Sequence, residues 1–256
     1  MSVQTCKLCL VGNGSVGKTS IVQRFLDDGF QKIYKQTVGV DFLEKTLEFR
    51  GTPLKTSLWD IGGQSLSSSN LPNYLLSSHI IFLCYDTTDP QSFLDLKDWL
   101  DVIRSIYGEE EKKEKEDAKK ENRRVKRIRK AEFYVVGNKI DLIEYRRVSE
   151  KEHTKFIEEE SEIKGGFFVS ASSGENVLTT FYLVSAQTIG IQLTPYELEF
   201  TKKVLSVDKK SGRGESFMKG SEAIREEDEG AHEDVLNMLK GGGGDSRGGC
   251  EGCFIS

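Results

Sequence analysis

Proline and cysteine are scarce in this chain, and no apolar run approaches the ~18–20 residues of a membrane span. Four prolines and five cysteines occur among 256 residues. Thiols this few and this scattered do not build a disulfide framework. Cys6 and Cys9 form a C-x-x-C, yet in an extended strand residues three apart point to opposite faces. They read as buried thiols rather than a redox pair or a metal site, and Cys84, inside the apolar run 80–85, reads as core as well. The amino terminus has neither the basic flank nor the apolar centre of a leader, so export is not expected. Excess positive charge is missing too. A net charge of −5 and a pI near 5.5 give no global field to attract nucleic acid, and none is expected as a partner. Hydrophobic residues make up 37 % against 30 % charged, polar enough that part of the length should lie outside a packed core.

What is present alternates. Residues 6–11 are apolar almost throughout, as in a strand covered on both faces, and a helix is expected from about Lys18 to Asp27. Residues 30–37 have no period and read as a connecting loop. Residues 38–49 and 54–59, joined at Arg50-Gly51-Thr52, read as a hairpin at a sheet edge. A Ser-rich segment runs to about Ser78, and 80–85 is an unbroken apolar strand. Asp89-Pro90 caps a helix expected to reach Tyr107. Strand 133–136, a helix from Ser149 opened by a capping box with Glu152, strand 167–169 and a helix from Glu175 to Gly190 complete the order. In that last helix Val177, Phe181, Val184 and Ile189 share a face. Strands alternating with helices imply an α/β fold, an open, mostly parallel six-stranded sheet with helices on both faces and ligands at the carboxyl ends of its strands.

Three strand-end loops carry chemistry. Gly12-Asn13-Gly14-Ser15-Val16-Gly17-Lys18-Thr19 has the spacing G-x-x-x-x-G-K-[ST] between a strand and a helix. Its glycines let backbone N–H groups close around phosphate oxygens, and the helix adds its positive end. Lys18 can reach the β- and γ-phosphates, and the Thr19 hydroxyl can ligate magnesium. Asn138-Lys139-Ile140-Asp141 follows another strand, and its carboxylate can accept from N1–H and N2–H₂ of guanine, a donor pair that adenine lacks. Asp60-Ile61-Gly62-Gly63-Gln64 ends a third: Asp60 to hold magnesium through water, Gly63 to offer its N–H to a γ-phosphate, Gln64 to orient a water.

These motifs, with Thr37 and Ser170-Ala171-Ser172, resemble the five motifs of the Ras-superfamily small GTPases over about residues 5–205 apart from a charged insert at about 109–130. Thr37-Val38-Gly39-Val40-Asp41-Phe42 and Ser173-Gly174-Glu175-Asn176-Val177 point to the Rab branch. Trp59-Asp60-Ile61-Gly62-Gly63-Gln64 and Gly190-Ile191-Gln192-Leu193 are most similar to its twenty-eighth subfamily. The resemblance implies a P-loop G domain over 1–205. Gly14, Ser15, Val16, Gly17, Lys18, Thr19 and Ser20 would cradle the phosphates; Thr19 and Thr37, with Asp60, would hold Mg²⁺. Phe30 would lie against the guanine edge and Tyr34 over the ribose, with Asn138, Lys139, Asp141, Ser170, Ala171 and Ser172 at the base. Gln64 and Lys18 would carry catalysis, and Phe42, Trp59 and Tyr74 would form an aromatic triad read by effectors.

The implied function is a switch that binds guanine nucleotide and hydrolyses GTP slowly to GDP and phosphate, regulating membrane or vesicle traffic, ciliary traffic included, with an exchange factor, an activating protein and effectors as partners. No arginine in the loops stands as an internal finger. Two departures stand out: Ser65-Leu66-Ser67-Ser68-Ser69 replaces the Glu-Arg-Phe usual after the glutamine, and Ser172 replaces a lysine. The first of these leaves a GTP-binding scaffold with little or no hydrolysis as the alternative.

Two stretches fall outside the α/β pattern. Residues 109–130 form a charged insert, acidic first and basic later, which reads as a solvated helix or a disordered loop, with a contact to acidic lipid or protein as the second reading. From Ser206 the composition turns to Gly, Glu, Lys and Ser, as in a flexible tether. It ends Cys253-Phe254-Ile255-Ser256, a C-a-a-X box of the farnesyl type. The expected location is thus the cytoplasmic face of a membrane through lipid on Cys253, with a cytosolic pool. One lipid anchors marginally, so acylation of Cys250 or a prenyl-binding shuttle protein is expected to assist.

Overall fold

Alternation along the two central strands sets the architecture. In β1 (Gln4–Val11), Cys6, Leu8 and Leu10 bury on one side of the sheet while Cys9 and Val11 bury on the other. In β4 (Ile80–Asp86), Ile80, Phe82 and Cys84 oppose Ile81, Leu83 and Tyr85 in the same way. A sheet apolar on both faces needs cover on both. The structure, a computed structural model, describes residues 4–27 and 36–199. Over the first face lie α1 (Lys18–Asp27) and α6 (Val177–Thr188), where Phe25 stacks on Phe181 with ring centroids 4.1 Å apart. Val177, Phe181 and Val184 bury there and Ile189 packs beside them, the face expected from their spacing. Over the second face lie α2 (Leu71–Leu75), α4 (Leu96–Lys120) and α5 (Glu150–Glu159).

The remaining strands are β2 (Val40–Phe49), β3 (Thr52–Ile61), β5 (Glu132–Asn138) and β6 (Ile163–Phe168), in the spatial order β2-β3-β1-β4-β5-β6. Every neighbouring pair is parallel except the β2–β3 hairpin at one edge. Its two turn residues, Arg50 and Gly51, have φ of 50° and 78°, the left-handed pair that matches strand twist in a two-residue hairpin. The carboxyl ends of β1, β3, β5 and β6 therefore open at one pole of the sheet.

Three elements depart from expectation. The helix after Asp89 is two helices, α3 (Pro90–Leu94), capped by the Asp89 carboxylate on Gln91 N, and α4, divided at Asp95. Second, α4 does not stop near Tyr107 but runs to Lys120, so half of the charged insert is helix. Ion pairs hold it where an apolar stripe is lacking: Glu114 receives Arg123 and the backbone N–H of Lys126, Glu111 receives Lys130, and Ala118 is buried. Third, β6 begins at Ile163, and Val169 lies just past its end. Gly165-Gly166 reads as a break, yet a Cβ on Gly166 would overlap His153 and Ile157 of α5, so packing rather than propensity chooses glycine. The capping box forms as expected, Ser149 accepting from Glu152 N and the Glu152 carboxylate accepting from Ser149 N. His153 is buried, shares a 3.0 Å hydrogen bond with the Tyr85 hydroxyl, and is pushed down by that burial to a pKa of about 4. Among the described residues no helix is long and apolar enough to cross a membrane. Phe30, Tyr34, the tail from Ser206, Cys250 and Cys253 lie outside the described residues.

Candidate functional site

The loop between β1 and α1 wraps around its own lysine. Lys18 is 6 % exposed, and its Nζ donates to the carbonyls of Gly12 and Asn13, each at 2.7 Å. Burial lowers the pKa of this ammonium, with Asp60 opposing the shift. Gly17 has a φ of +97°, and a Cβ there would strike the side-chain amide of Asn138. Asn13 is fixed from behind, its amide donating to Asp95 at 2.5 Å and its oxygen accepting from the Trp99 indole at 3.2 Å. Gly14 and Ser15 are exposed, Val16 is buried, and Thr19 and Ser20 are half-buried in the first turn of α1. The first backbone N–H groups of a helix lack intrahelical partners, so this end suits an anion.

Three oxygen side chains from three loops meet beside it. Thr19 Oγ1 donates to Asp60 Oδ2 at 2.5 Å, Thr37 Oγ1 lies 2.9 Å from Thr19 Oγ1, and Thr37 also donates to Asp60 at 3.4 Å. Asp60 is 1 % exposed and its Oδ1 has no hydrogen-bond partner among the described residues. Burial raises its pKa, against the pull of Thr19 and Lys18. A hard, all-oxygen donor set with an unsatisfied buried carboxylate oxygen fits a magnesium ion.

Across the pole, Asn138 ties the phosphate loop to the two loops beyond it. Its amide donates to Val16 O at 2.8 Å, and its oxygen accepts from Ala171 N at 3.1 Å. Only a side chain with both a donor and an acceptor can do this, which is why asparagine rather than aspartate stands here. Asp141 is exposed and accepts from the Ser170 hydroxyl at 2.6 Å, while Ser170 accepts from Ser173 N at 3.0 Å. Lys139 has a φ of 68° and pairs with Asp86 at 2.6 Å.

The loop after β3 presses on the phosphate loop. A Cβ on Gly63 would overlap the backbone of Asn13 and Gly14, so only glycine allows this approach. The Gln64 amide lies near Gly14, 3.9 Å from where a Cβ on that glycine would stand. Gly62 N donates to Gly39 O at 2.9 Å, joining this loop to the one carrying Thr37. Further along the hairpin, Phe42 and Trp59 are cross-strand partners whose rings meet edge-on at 5.2 Å; Trp59 lies 6.2 Å from Tyr74 of α2. Phe42 is 54 % exposed, so the triad forms a continuous aromatic strip that reaches solvent. Lys7 Nζ sits over the Trp59 ring at 4.0 Å.

The structure thus gathers all the expected site residues that it describes, with the aromatic strip set apart along the hairpin. It adds three supports that spacing did not reveal. Asp86 anchors Lys139, Arg24 of α1 donates to Ala171 O at 2.8 Å and Ser172 O at 2.5 Å, and Asp95 holds Asn13. An acidic residue closing an apolar strand is a local signal for Asp86; Arg24 and Asp95 act across the fold and leave none. Residues 7–189 match the family model described as the Ras family. The chain is 34 % identical over 194 residues to the Ras-related protein Rab-28 of Caenorhabditis elegans, a span that covers 75 % of this chain and 71 % of that one.

Proposed function

The chain belongs to the Ras family of small GTPases and, like its Rab relatives, binds GTP and hydrolyses it to GDP; on that premise we propose which residues do so and to what end. Lys18 and the N–H groups of Gly14 to Ser20 hold the phosphates, and Lys18 offsets the charge that grows on them as a water attacks in line. Thr19 and Thr37 would hold magnesium, with Asp60 behind them. When bound, this ion supplies charge neutralisation at the phosphate oxygens. Gln64 orients the water. Phe30, Tyr34, Asn138, Lys139, Asp141, Ser170, Ala171 and Ser172 hold the nucleoside, Asp141 selecting guanine. No arginine finger lies in the chain's own loops, so turnover without an activating protein is slow, on the order of 10⁻⁴ s⁻¹ as for Ras alone.

The observation that carries this reading is the Thr19–Thr37–Asp60 cluster, because it joins the two loops that a γ-phosphate would hold to the loop that grips the nucleotide. Hydrolysis then frees the Thr37 and Gly63 loops, and effectors read the change at Phe42, Trp59 and Tyr74. The organisation is a G domain over 1–205 and a tether over 206–256, with lipid on Cys253 holding the switch at the cytoplasmic face of a membrane in vesicle or ciliary traffic. An exchange factor, an activating protein and a prenyl-binding shuttle complete the cycle.

Binding of mant-GDP to purified protein, competed by GTP or ATP, tests the site: displacement by ATP rather than GTP rejects it. Single-turnover phosphate release, with and without cell extract, separates a cycling switch from the scaffold alternative that Ser65–Ser69 suggests.

A further inference from the structure

Six cations fall within eight residues, Arg123 to Lys130, and from Asn122 to Ala131 there is no carboxylate. The outer two are committed. Arg123 forks onto Glu114 of α4 at 2.5 and 3.2 Å, and Lys130 pairs with Glu111 at 3.1 Å. These two pairs staple the segment back along α4. Between the staples Arg124, Lys126, Arg127 and Arg129 are exposed, and their side chains make no hydrogen bond or ion pair among the described residues. Val125, 54 % exposed, stands among them.

The position of this row gives it meaning. It leads directly into β5, whose first residue, Glu132, donates its N–H to His79 O at the start of β4, at 2.9 Å. That is the pole where the parallel strands begin, opposite the phosphate and base loops. The described residues end at the same pole. Glu197 pairs at 2.9 Å with Arg50 in the β2–β3 turn, which sits beside the Gln4–Leu54 pair that opens β1. Beyond Glu199 follow 57 further residues, 200–256.

We infer that residues 123–130 are a docking surface for an anionic lipid bilayer. A bilayer offers a plane of negative headgroups, which an extended row of exposed cations with an exposed aliphatic side chain matches. Single-stranded nucleic acid would want aromatic rings to stack on, and 122–131 has none. Each cation beside an anionic leaflet is worth roughly fivefold in partitioning, so four act together as a second signal where a single lipid chain is marginal. With this pole on the membrane, the nucleotide loops and the aromatic strip face away from it. The row acts with or without lipid on Cys253.

The test uses the full-length chain without lipid modification, loaded with GDP. It is sedimented with phosphatidylcholine vesicles, plain or with about 30 mol % phosphatidylserine, at low salt and at about 0.5 M. Binding to the phosphatidylserine vesicles that high salt abolishes, with none to phosphatidylcholine alone, is expected. R124Q/K126Q/R127Q/R129Q should lower that partitioning by roughly 600-fold, fivefold for each of four cations, while thermal melting and mant-GDP exchange stay as in the parent. R124K/R127K/R129K should bind like the parent, because a headgroup plane reads charge rather than guanidinium geometry. Equal binding to both vesicle types, or binding that the glutamines leave unmoved, overturns the inference. Loss of binding in the lysine variant overturns it as well. So does binding that appears only with E226Q/E227Q/D228N/E229Q, which would assign the row to the chain's own acidic run.

Discussion

At one pole of the sheet Lys18 is buried and both its bonds go to backbone carbonyls; at the other Arg124, Lys126, Arg127 and Arg129 are exposed, and among the described residues their side chains make no hydrogen bond or ion pair. The two poles use the same kind of charge to opposite ends. In a poorly screened interior a charge is strong, geometrically exacting and costly to leave unpaired, so few are used and each has named neighbours. In solvent each is weak and screened by salt, so number replaces precision. On the proposed function one pole tells guanine from adenine; on the inference above the other senses only the density of negative charge.

The sharpest way to break this contrast is at the buried cation. Lys18→Ala should weaken nucleotide by about 2–5 kcal/mol, on the order of a hundredfold or more by mant-GDP titration, because a desolvated charge contact is lost. A loss below fivefold would place Lys18 with the exposed cations.

A buried base beside the carboxyl ends of β4 and β6 extends the test. The pKa of His153 is about 4 in the fold and about 6.5 when unfolded, so between those pH values the unfolded chain binds the extra proton. The contribution of neutral His153 is complete above pH 6.5 and is lost as pH falls, reaching about 3 kcal/mol near pH 4. Melting temperature against pH should show this slope, and His153→Gln should flatten it.

Asp141 cuts across the division, since it is exposed yet sits at the precise pole. Asp141→Asn should exchange guanine for xanthine preference, by about 1.5–3 kcal/mol in competition binding, while leaving the melting temperature of the nucleotide-free protein unchanged. Unaltered guanine selectivity would remove it from the base site.

Arg123→Gln is the mildest change. Freed from Glu114, residues 121–130 should lift from α4 and the amides of Glu114–Lys120 should exchange faster, with no change in the midpoint of global melting.

The precise pole was also the legible one. Its loops carry fixed spacings, each follows a strand, and local chemistry alone suggests what they bind. The same holds for the Ser149 capping box and for the opposite faces of Cys6 and Cys9, which follow from two-residue periodicity. The charged pole was legible only in part, as a solvated helix or a loop of unspecified extent. The continuation of α4 to Lys120 rests on ion pairs made by residues 9 to 19 positions apart, from Glu114–Arg123 to Glu111–Lys130, and no apolar period announces it. The early start of β6 was hidden because Gly166 is chosen by the side chains of His153 and Ile157 in α5, a contact that no window of sequence contains.

The chain has two tryptophans, and each is wired to a different nucleotide loop. Trp99 donates its indole N–H to Asn13, while Trp59 adjoins Asp60 beneath the Lys7 ammonium with its own indole N–H buried and, among the described residues, unpaired. The protein therefore holds two intrinsic optical reporters in different electrostatic settings. Ultraviolet emission from the unlabelled molecule can follow its conversion between nucleotide states, with Trp59→Phe and Trp99→Phe separating the two signals.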